Sequence, residues 1–188
     1  MVGKFMTYND RLDFEKLYQE AEEPWDVFDA SGNDYDQCIN WVQPWAPQSI
    51  TDLGCGKGAL TRRLRTFCDN VTGIDISQTA IKKAIGRSED IKYYAADLRF
   101  IQSLEQSDAF VCKDVIYYFD NDSRLFLLQE IQKKMNKIAY FSIPVNFLHP
   151  MDMHGVELFN MLDRYFWVYQ YFNNGCHAFV LCRQKEKE

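Results

Sequence analysis

The stretch Ile50-Thr51-Asp52-Leu53-Gly54-Cys55-Gly56-Lys57-Gly58 decides the fold of this chain. Its apolar start predicts a buried strand, and its three alternating glycines predict a turn into a helix that begins near Gly58. Glycine suits this turn because it adopts positive φ and lets a ligand lie against bare backbone. The strand end and the helix N-terminus would then face one ligand, which is typical of nucleotide-like cofactors.

A second strand supports this interpretation. The β-rich run 71–76 carries Asp75, which lies 21 positions after Gly54. An acid about 20 residues beyond a glycine turn is suited to accept hydrogen bonds from ribose hydroxyls. The two motifs together predict a cofactor that contains a ribose.

From residue 49 onward, strand and helix patterns alternate, which predicts a parallel sheet with helices on both faces. The predicted strands are 49–53, 71–76, 91–95, 109–112 and 137–143, and the predicted helices are 59–68, 79–86, 101–105, 123–135 and 156–162. Ser77 is the expected cap of helix 79–86, and Asn121 and Asp122 are the expected caps of helix 123–135.

The end of the chain departs from this alternation. Residues 165–172 and 177–182 flank Asn173-Asn174-Gly175, which predicts a β-hairpin with a primed turn. The hairpin would add an antiparallel strand to the sheet. A dinucleotide dehydrogenase would usually continue with another strand and helix, so the hairpin argues against that class.

Two helices are predicted before the first strand, at 10–22 and from Asn33 or Asp34 to Pro44. They are additions to the core that could act as a lid, and the loop between them carries Trp25 and Phe28. We therefore expect a single domain, with a helical lid at 1–48, a core at 49–183 and a flexible tail at 184–188.

Composition limits the function classes. The 188 residues carry a net charge of −6, and residues 1–48 hold ten acidic residues against three basic ones. Such a surface repels phosphate backbones, so nucleic acid is not an expected partner. No apolar run approaches the ~18 residues of a membrane span and no secretion signal begins the chain, which predicts a cytoplasmic protein without a membrane partner.

Cysteines and metal ligands give little sign of further chemistry. The six cysteines form no Cys-x-x-Cys pair, so buried, reduced thiols are expected, with Cys176 and Cys182 as strand filling. Strand five ends in Asn146 without a companion acid, so no metal site is predicted.

The motifs carry a family resemblance. Asp52-x-Gly54-x-Gly56-x-Gly58, the strand-end Asp75 and Ala96-Asp97-Leu98 resemble the signature of class I S-adenosylmethionine-dependent methyltransferases, and the terminal hairpin resembles their antiparallel seventh strand. The segments Glu22-Glu23-Pro24-Trp25, Tyr35-Asp36 and 113–118 are further similar to the nodulation-protein-S-like small-molecule N-methyltransferases. The implied fold is a Rossmann-like, seven-stranded, mostly parallel sheet, and the implied cofactor is S-adenosyl-L-methionine.

The resemblance also implies roles for particular residues. Gly54, Cys55 and Gly56 would lie under the methionine part of the cofactor, Asp52 near its amino group, and Trp25 would close over it. Asp75 would hold the ribose and Ile76 would pack on the adenine. Asp97 and the Leu98 N–H would bind the adenine, and the Lys113 carbonyl would accept from the methionine ammonium. The sequence departs from the subfamily at Asp36, where glutamate is usual, and at Gln37, Ile39 and Asn40, where we would expect a basic residue for the cofactor carboxylate.

The acceptor site is less clearly specified. Asp114, after strand four, could take a proton from the acceptor, and Tyr117, His149 and His154 lie within plausible reach. The favoured function is methylation of a small molecule, on nitrogen, with an amine as candidate acceptor, rather than on oxygen. A macromolecule-directed methyltransferase and a non-catalytic S-adenosylmethionine binder stay open, as does the choice between monomer and homodimer.

Overall fold

The computed structural model describes residues 11–21, 33–101, 104–145 and 155–185. Its centre is a seven-stranded sheet in the order β3-β2-β1-β4-β5-β7-β6. The strands are β1 (Ile50–Leu53), β2 (Val71–Asp75), β3 (Lys92–Ala95), β4 (Ser107–Lys113), β5 (Met135–Pro144), β6 (Phe166–Asn173) and β7 (His177–Gln184). The first five strands pair in parallel, whereas β7 runs antiparallel to both β5 and β6. The predicted fold class is confirmed.

Helices flank this sheet. They are α1 (Arg11–Glu20), α2 (Asn33–Val42), α3 (Ala59–Leu64), α4 (Gln78–Ile85), α5 (Asn121–Lys134) and α6 (Gly155–Tyr165), with 3-10 turns at Gln43–Trp45 and Ile116–Tyr118. Ser77 caps α4 as predicted, because its hydroxyl accepts the Ala80 N–H at 3.0 Å. The tight hairpin turn between β6 and β7 has Gly175 at φ +85°.

Alternation along the strands divides the core between two faces. Ile50 and Val111 belong to a buried cluster that includes Cys38 and Val42 of α2 and Leu64 of α3. A second cluster, on the other face, contains Leu53, Phe110, Cys112 and Phe141 of the sheet with Leu127, Leu128 and Ile131 of α5 and Leu158 and Leu162 of α6. Because side chains two positions apart on a strand share a face, Asp52 and Lys113 lie on the α2 and α3 side.

Two helix predictions were wrong: the described residues of one segment are not helical, and the other helix is shorter than predicted. The described residues of 101–105 are not helical, and Leu104 is buried in the core instead. A five-residue segment closes too few i→i−4 hydrogen bonds to be stable without such packing. The helix predicted at 59–68 ends at Leu64, because Thr66 and Phe67 donate to the carbonyls three residues back and tighten the chain into a turn.

Three smaller predictions also need correction. The cap of α5 is Asp120, whose carboxylate accepts the Ser123 N–H at 2.8 Å, and Asn121 and Asp122 lie inside the helix. Helix α2 ends at Val42 rather than at Pro44, and Pro44 lies in the 3-10 turn Gln43–Trp45, which tolerates proline at its start. Cys176 lies in the hairpin turn and is exposed, whereas the other five cysteines are buried as predicted.

Some predictions fall on parts of the chain that lie outside the described residues. These include Trp25 and Phe28 in 22–32, Asn146, His149 and His154 in 146–154, and most of the predicted tail. Within the described ranges, no helix has the length and apolar character needed to cross a membrane.

Candidate active site

The glycine loop has the backbone geometry that its sequence predicts. Gly54, Gly56 and Gly58 have φ of +75°, +54° and +75°. The N–H groups of Gly54 and Cys55 both donate to the Ile74 carbonyl, at 2.7 and 3.0 Å, and fasten the loop to β2. These glycines are required by conformation and by space, since a Cβ on Gly54 would lie 2.2 Å from Val115 Cγ2.

Asp75 closes the same loop from the end of β2. Its Oδ2 accepts the Gly56 N–H at 2.8 Å, and its Oδ1 accepts the Ser77 N–H at 2.9 Å. Burial raises the pKa of this carboxyl, and the two backbone hydrogen bonds oppose that rise. A carboxylate oxygen has two acceptor positions, so Asp75 can hold the loop and still accept ribose hydroxyls.

Asp52 lies deeper, behind the glycine loop. Its carboxylate is buried and accepts the Thr61 hydroxyl of α3 at 2.6 Å. Burial raises the pKa of Asp52 to about 7, the Thr61 bond lowers it, nearby Asp75 raises it and Lys113 lowers it. The side chain therefore contributes a carboxyl that titrates near neutrality beside the predicted methionine subsite.

Helix α1 is attached to α4, next to Asp75, through contacts that sequence reasoning missed. Glu15 accepts hydrogen bonds from the Ser77 hydroxyl at 2.7 Å, the Thr79 hydroxyl at 2.5 Å and the Thr79 N–H at 3.2 Å. Burial alone would raise the pKa of Glu15, but these bonds outweigh it and lower the pKa to about 2. Lys83 of α4 also donates to the Tyr18 carbonyl at 2.8 Å.

Other side chains of α1 contact the glycine loop and the segment after β4. Tyr18 is buried, and its hydroxyl lies 2.7 Å from where a Gly56 Cβ would be. Phe14 packs edge to face on Tyr118, with ring centroids 5.2 Å apart. Helix α1 thus spans from α4, across the glycine loop, to the segment after β4.

The residues predicted to surround the adenine lie at the ends of β2 and β3. Ile76 is partly exposed and can offer an apolar surface, whereas Leu98 is buried. The Asp97 carboxylate is engaged by Arg99, with Nε at 3.0 Å from Oδ1 and a terminal nitrogen at 2.6 Å from Oδ2. Any adenine contact of Asp97 would share the carboxylate with this ion pair.

A polar corner lies beyond the ends of β4 and β5. Asp114 has φ +56°, a left-handed conformation that is costly for a residue with a Cβ and is common at functional sites. Its N–H donates to the Ser142 carbonyl at 3.0 Å, and its Oδ1 accepts the Ser142 hydroxyl at 2.8 Å. Its Oδ2 accepts from Lys113 Nζ at 2.5 Å and lies 3.7 Å from His177 Nε2.

His177 was not predicted as a site residue from the sequence, which instead suggested His149 and His154. It is the first residue of β7 and pairs with Pro144, the last residue of β5. A signal was available: an antiparallel last strand starts at the edge where the parallel strands end, so its first residues reach the site. Asp114 and His177 form the acid and imidazole of what we call the acceptor corner, with Ser142 as its third member.

Tyrosines line the approach to this corner. Tyr117 and Tyr118 pack with ring centroids 4.2 Å apart, and Tyr117 also packs against the core. Burial raises the pKa of both phenols, to about 12 for Tyr118. Tyr117 is therefore a neutral hydrogen-bonding group at physiological pH rather than a base.

These features fit S-adenosylmethionine. A positive-φ glycine loop, a buried acid after β2 and a polar corner beyond β4 are arranged around one edge of the sheet, where open α/β sheets bind ligands. Among the described residues, no cluster of three or more His, Cys, Asp or Glu side chains could hold a metal ion. Fold and site together define a methyltransferase of the S-adenosylmethionine-dependent class.

The chain belongs to the nodulation protein S (NodS) family, whose sequence model matches residues 15–136. It is 31% identical to nodulation protein S of Azorhizobium caulinodans over 78 residues, which are 40% of this chain and 38% of that protein. It is 28% identical to nodulation protein S of Sinorhizobium fredii over 108 residues, 54% of this chain and 50% of that protein. The matched regions thus cover half or less of these curated relatives.

Solved structures show the same fold. The N-methyltransferase NodS from Bradyrhizobium japonicum, in complex with S-adenosyl-L-homocysteine, superposes with a TM-score of 0.79 at 19% identity, covering 93% of this chain and 97% of that one. The magnesium protoporphyrin IX methyltransferase of Synechocystis, with bound S-adenosylmethionine, gives 0.70 at 15% identity, covering 86% of this chain and 83% of that one.

Proposed function

We propose that this protein transfers a methyl group from S-adenosylmethionine to the nitrogen of a small-molecule amine. The observation that carries the proposal is the acceptor corner, where a carboxylate and an imidazole lie side by side at the ligand-binding edge of the sheet. The choice of nitrogen as the methyl acceptor is supported by membership of the NodS family and by the structural similarity to NodS from B. japonicum, which is an N-methyltransferase.

The acceptor corner suits an amine because the amine reaches it protonated. The Asp114 carboxylate would attract the ammonium, and Ser142 and Lys113 fix the orientation of that carboxylate. The His177 imidazole would accept the proton and leave a lone pair on the nitrogen. Bound S-adenosylmethionine supplies the activated methyl group.

The protein's other contribution is alignment and exclusion of water. Gly54, Cys55, Gly56, Asp75 and Ile76 would hold the cofactor, with Asp97 and Leu98 at its adenine end. Asp52 would face its ammonium, and α1 would act as a lid through Tyr18 and Phe14. Trp25 stays a predicted part of the lid and His154 a predicted acceptor-side group.

Small-molecule specificity is supported by charge. The excess of acidic residues in 1–48 disfavours nucleic acid, and it favours cationic acceptors. Incubation with methyl-labelled cofactor and a metabolite extract tests this directly. Label in low-mass amines is the expected result. Label only in RNA or protein would contradict the proposal, and cofactor binding without transfer would favour a non-catalytic binder.

The proton-accepting role predicts a particular pH dependence. His177→Gln should lower the rate on the labelled amine by roughly 10²- to 10⁴-fold near neutral pH. The deficit should shrink as pH rises, because more of the amine then arrives unprotonated. The neighbouring exposed Cys176→Ser serves as the matched control. A pH-independent deficit would show that His177 only shapes the site.

A further inference from the structure

Lys113 is a mostly buried cation at the entrance to the predicted methionine subsite. It is the last residue of β4, and its side chain is 13% exposed. Its ammonium lies 5.1 Å from the centroid of the Tyr35 ring, on α2, and 2.5 Å from Asp114 Oδ2. Tyr35 and Asp114 thus hold the charge between α2 and the acceptor corner.

The sheet register places this cation beside the glycine loop. Asp52 of β1 pairs with Val111 of β4. Two residues further along each parallel strand come Gly54 and Lys113, at the same end of the sheet and, for Lys113, on the same face as Asp52. Burial has the largest effect on the pKa of Asp52 and raises it, the Thr61 hydrogen bond lowers it, and Asp75 raises it. The Lys113 charge is close enough to lower the same pKa as well.

Helix α2 does not offer a basic residue of its own. The positions where one was expected hold Gln37, Ile39 and Asn40. An alternative cation is Arg63 of α3, which forms an ion pair with Asp36 and lies over the Tyr35 ring at 5.7 Å. Its side chain is 39% exposed, so a carboxylate there would be better screened by water than one at Lys113.

We propose that the Lys113 ammonium binds the carboxylate of the cofactor's methionine part. This inference rests on the proposed function. An ammonium has three donors, so Lys113 can serve Asp114 and a ligand together. With Asp52 and the backbone carbonyl of Lys113 on the ammonium side and the Lys113 side chain on the carboxylate side, the subsite matches a zwitterion.

The test uses two ligands that differ only in the carboxylate, S-adenosylhomocysteine and its decarboxylated analogue, with calorimetry on the full chain. The unsubstituted protein should bind S-adenosylhomocysteine more tightly. Lys113→Met should weaken S-adenosylhomocysteine about 10- to 100-fold and the analogue less than about 3-fold, the loss expected for one charge-assisted hydrogen bond. Lys113→Arg, which keeps the charge, should retain the preference.

Matched substitutions separate the anchor from other causes. Lys137→Met removes a lysine that binds Asp108 at the opposite end of the sheet, 3.0 Å away, and should change neither affinity. Equal weakening of both ligands in Lys113→Met would overturn the inference, as would a carboxylate-specific loss in Arg63→Met alone. If the unsubstituted protein binds neither ligand, the proposed function fails as well.

Discussion

Gly54 has a backbone conformation and a neighbour that together require glycine. Its φ is +75°, and a Cβ there would lie 2.2 Å from Val115 Cγ2. Gly54→Ala should lower the free energy of unfolding by at least about 1–2 kcal/mol from conformation alone, with the clash in addition. Gly86→Ala is the matched control, since its nearest new contact is 3.6 Å away, at Lys82 O. Urea denaturation compares the two, and equal stabilities would contradict the structural account.

Asp52 makes stability depend on pH with an identifiable sign. Its pKa rises from 3.8 to about 7 on folding, chiefly through burial. The folded state therefore holds this proton more tightly, and stability is lost as pH increases from about 4 through about 7. The loss amounts to at most about 4 kcal/mol.

Asp52→Asn removes this titration but can still accept the Thr61 hydroxyl. Relative to the unsubstituted protein, the variant should gain stability between pH 4.5 and pH 7.5, on the order of a few kcal/mol. Denaturation curves at several pH values measure the difference. Two parallel pH profiles would show that the Asp52 carboxyl is not perturbed by folding.

Residues differ in how far sequence could place them. Asp75 and the loop glycines are predictable because their roles follow from local backbone and short spacing. His177 and Glu15 are not, because their partners lie 63 and 62 or more positions away in the chain and meet only through tertiary packing. The Asp97–Arg99 ion pair joins residues only two positions apart, but the motif assigns Asp97 to the adenine and so does not predict the ion pair.

Among the elements, α1 depends on one side chain for much of its attachment. Glu15 accepts three hydrogen bonds from Ser77 and Thr79 at the start of α4. Glu15→Ala should raise hydrogen exchange across residues 11–21 by roughly 10- to 100-fold and leave β1 and β4 protected. Glu20→Ala changes an exposed acid of the same helix and should have little effect.

The attachment of α1 should also weaken in acid. Burial raises the pKa of Glu15, the Thr79 and Ser77 bonds outweigh that effect, and the pKa falls to about 2. The stabilisation of α1 by the Glu15 carboxylate is therefore fully present above pH 4.5 and is lost as the pH falls toward 2. If hydrogen exchange across residues 11–21 is the same in Glu15→Ala as in the unsubstituted protein, then the packing of Phe14 and Tyr18 is enough to hold α1 in place.

At the scale of the whole molecule, the order of strand and helix patterns predicted the sheet because β1, β2, β4 and β5 are buried strands and three of the crossovers between parallel strands contain a helix (α3, α4 and α5). The hairpin signal at Asn174-Gly175 predicted the antiparallel hairpin of β6 and β7 that completes the sheet. The five-residue pattern at 101–105 misled because apolar spacing that short fits a buried loop equally well. The topology brings residues 15, 75, 114 and 177 to one edge, which no single segment of sequence could show.

Ligand binding at this edge should stabilise the whole chain by mass action. S-adenosylhomocysteine at about 100 times its Kd adds roughly 2.7 kcal/mol, which for a chain of this size raises Tm by about 5–11 °C. Asp75→Asn should bind more weakly and show a smaller shift at the same ligand concentration, because the charged acceptor for the ribose is lost. Differential scanning calorimetry with S-adenosylhomocysteine and with a nicotinamide dinucleotide measures the selectivity. A shift with the dinucleotide alone would assign the edge to an oxidoreductase cofactor instead, because the same glycine loop and acid could serve either ribose.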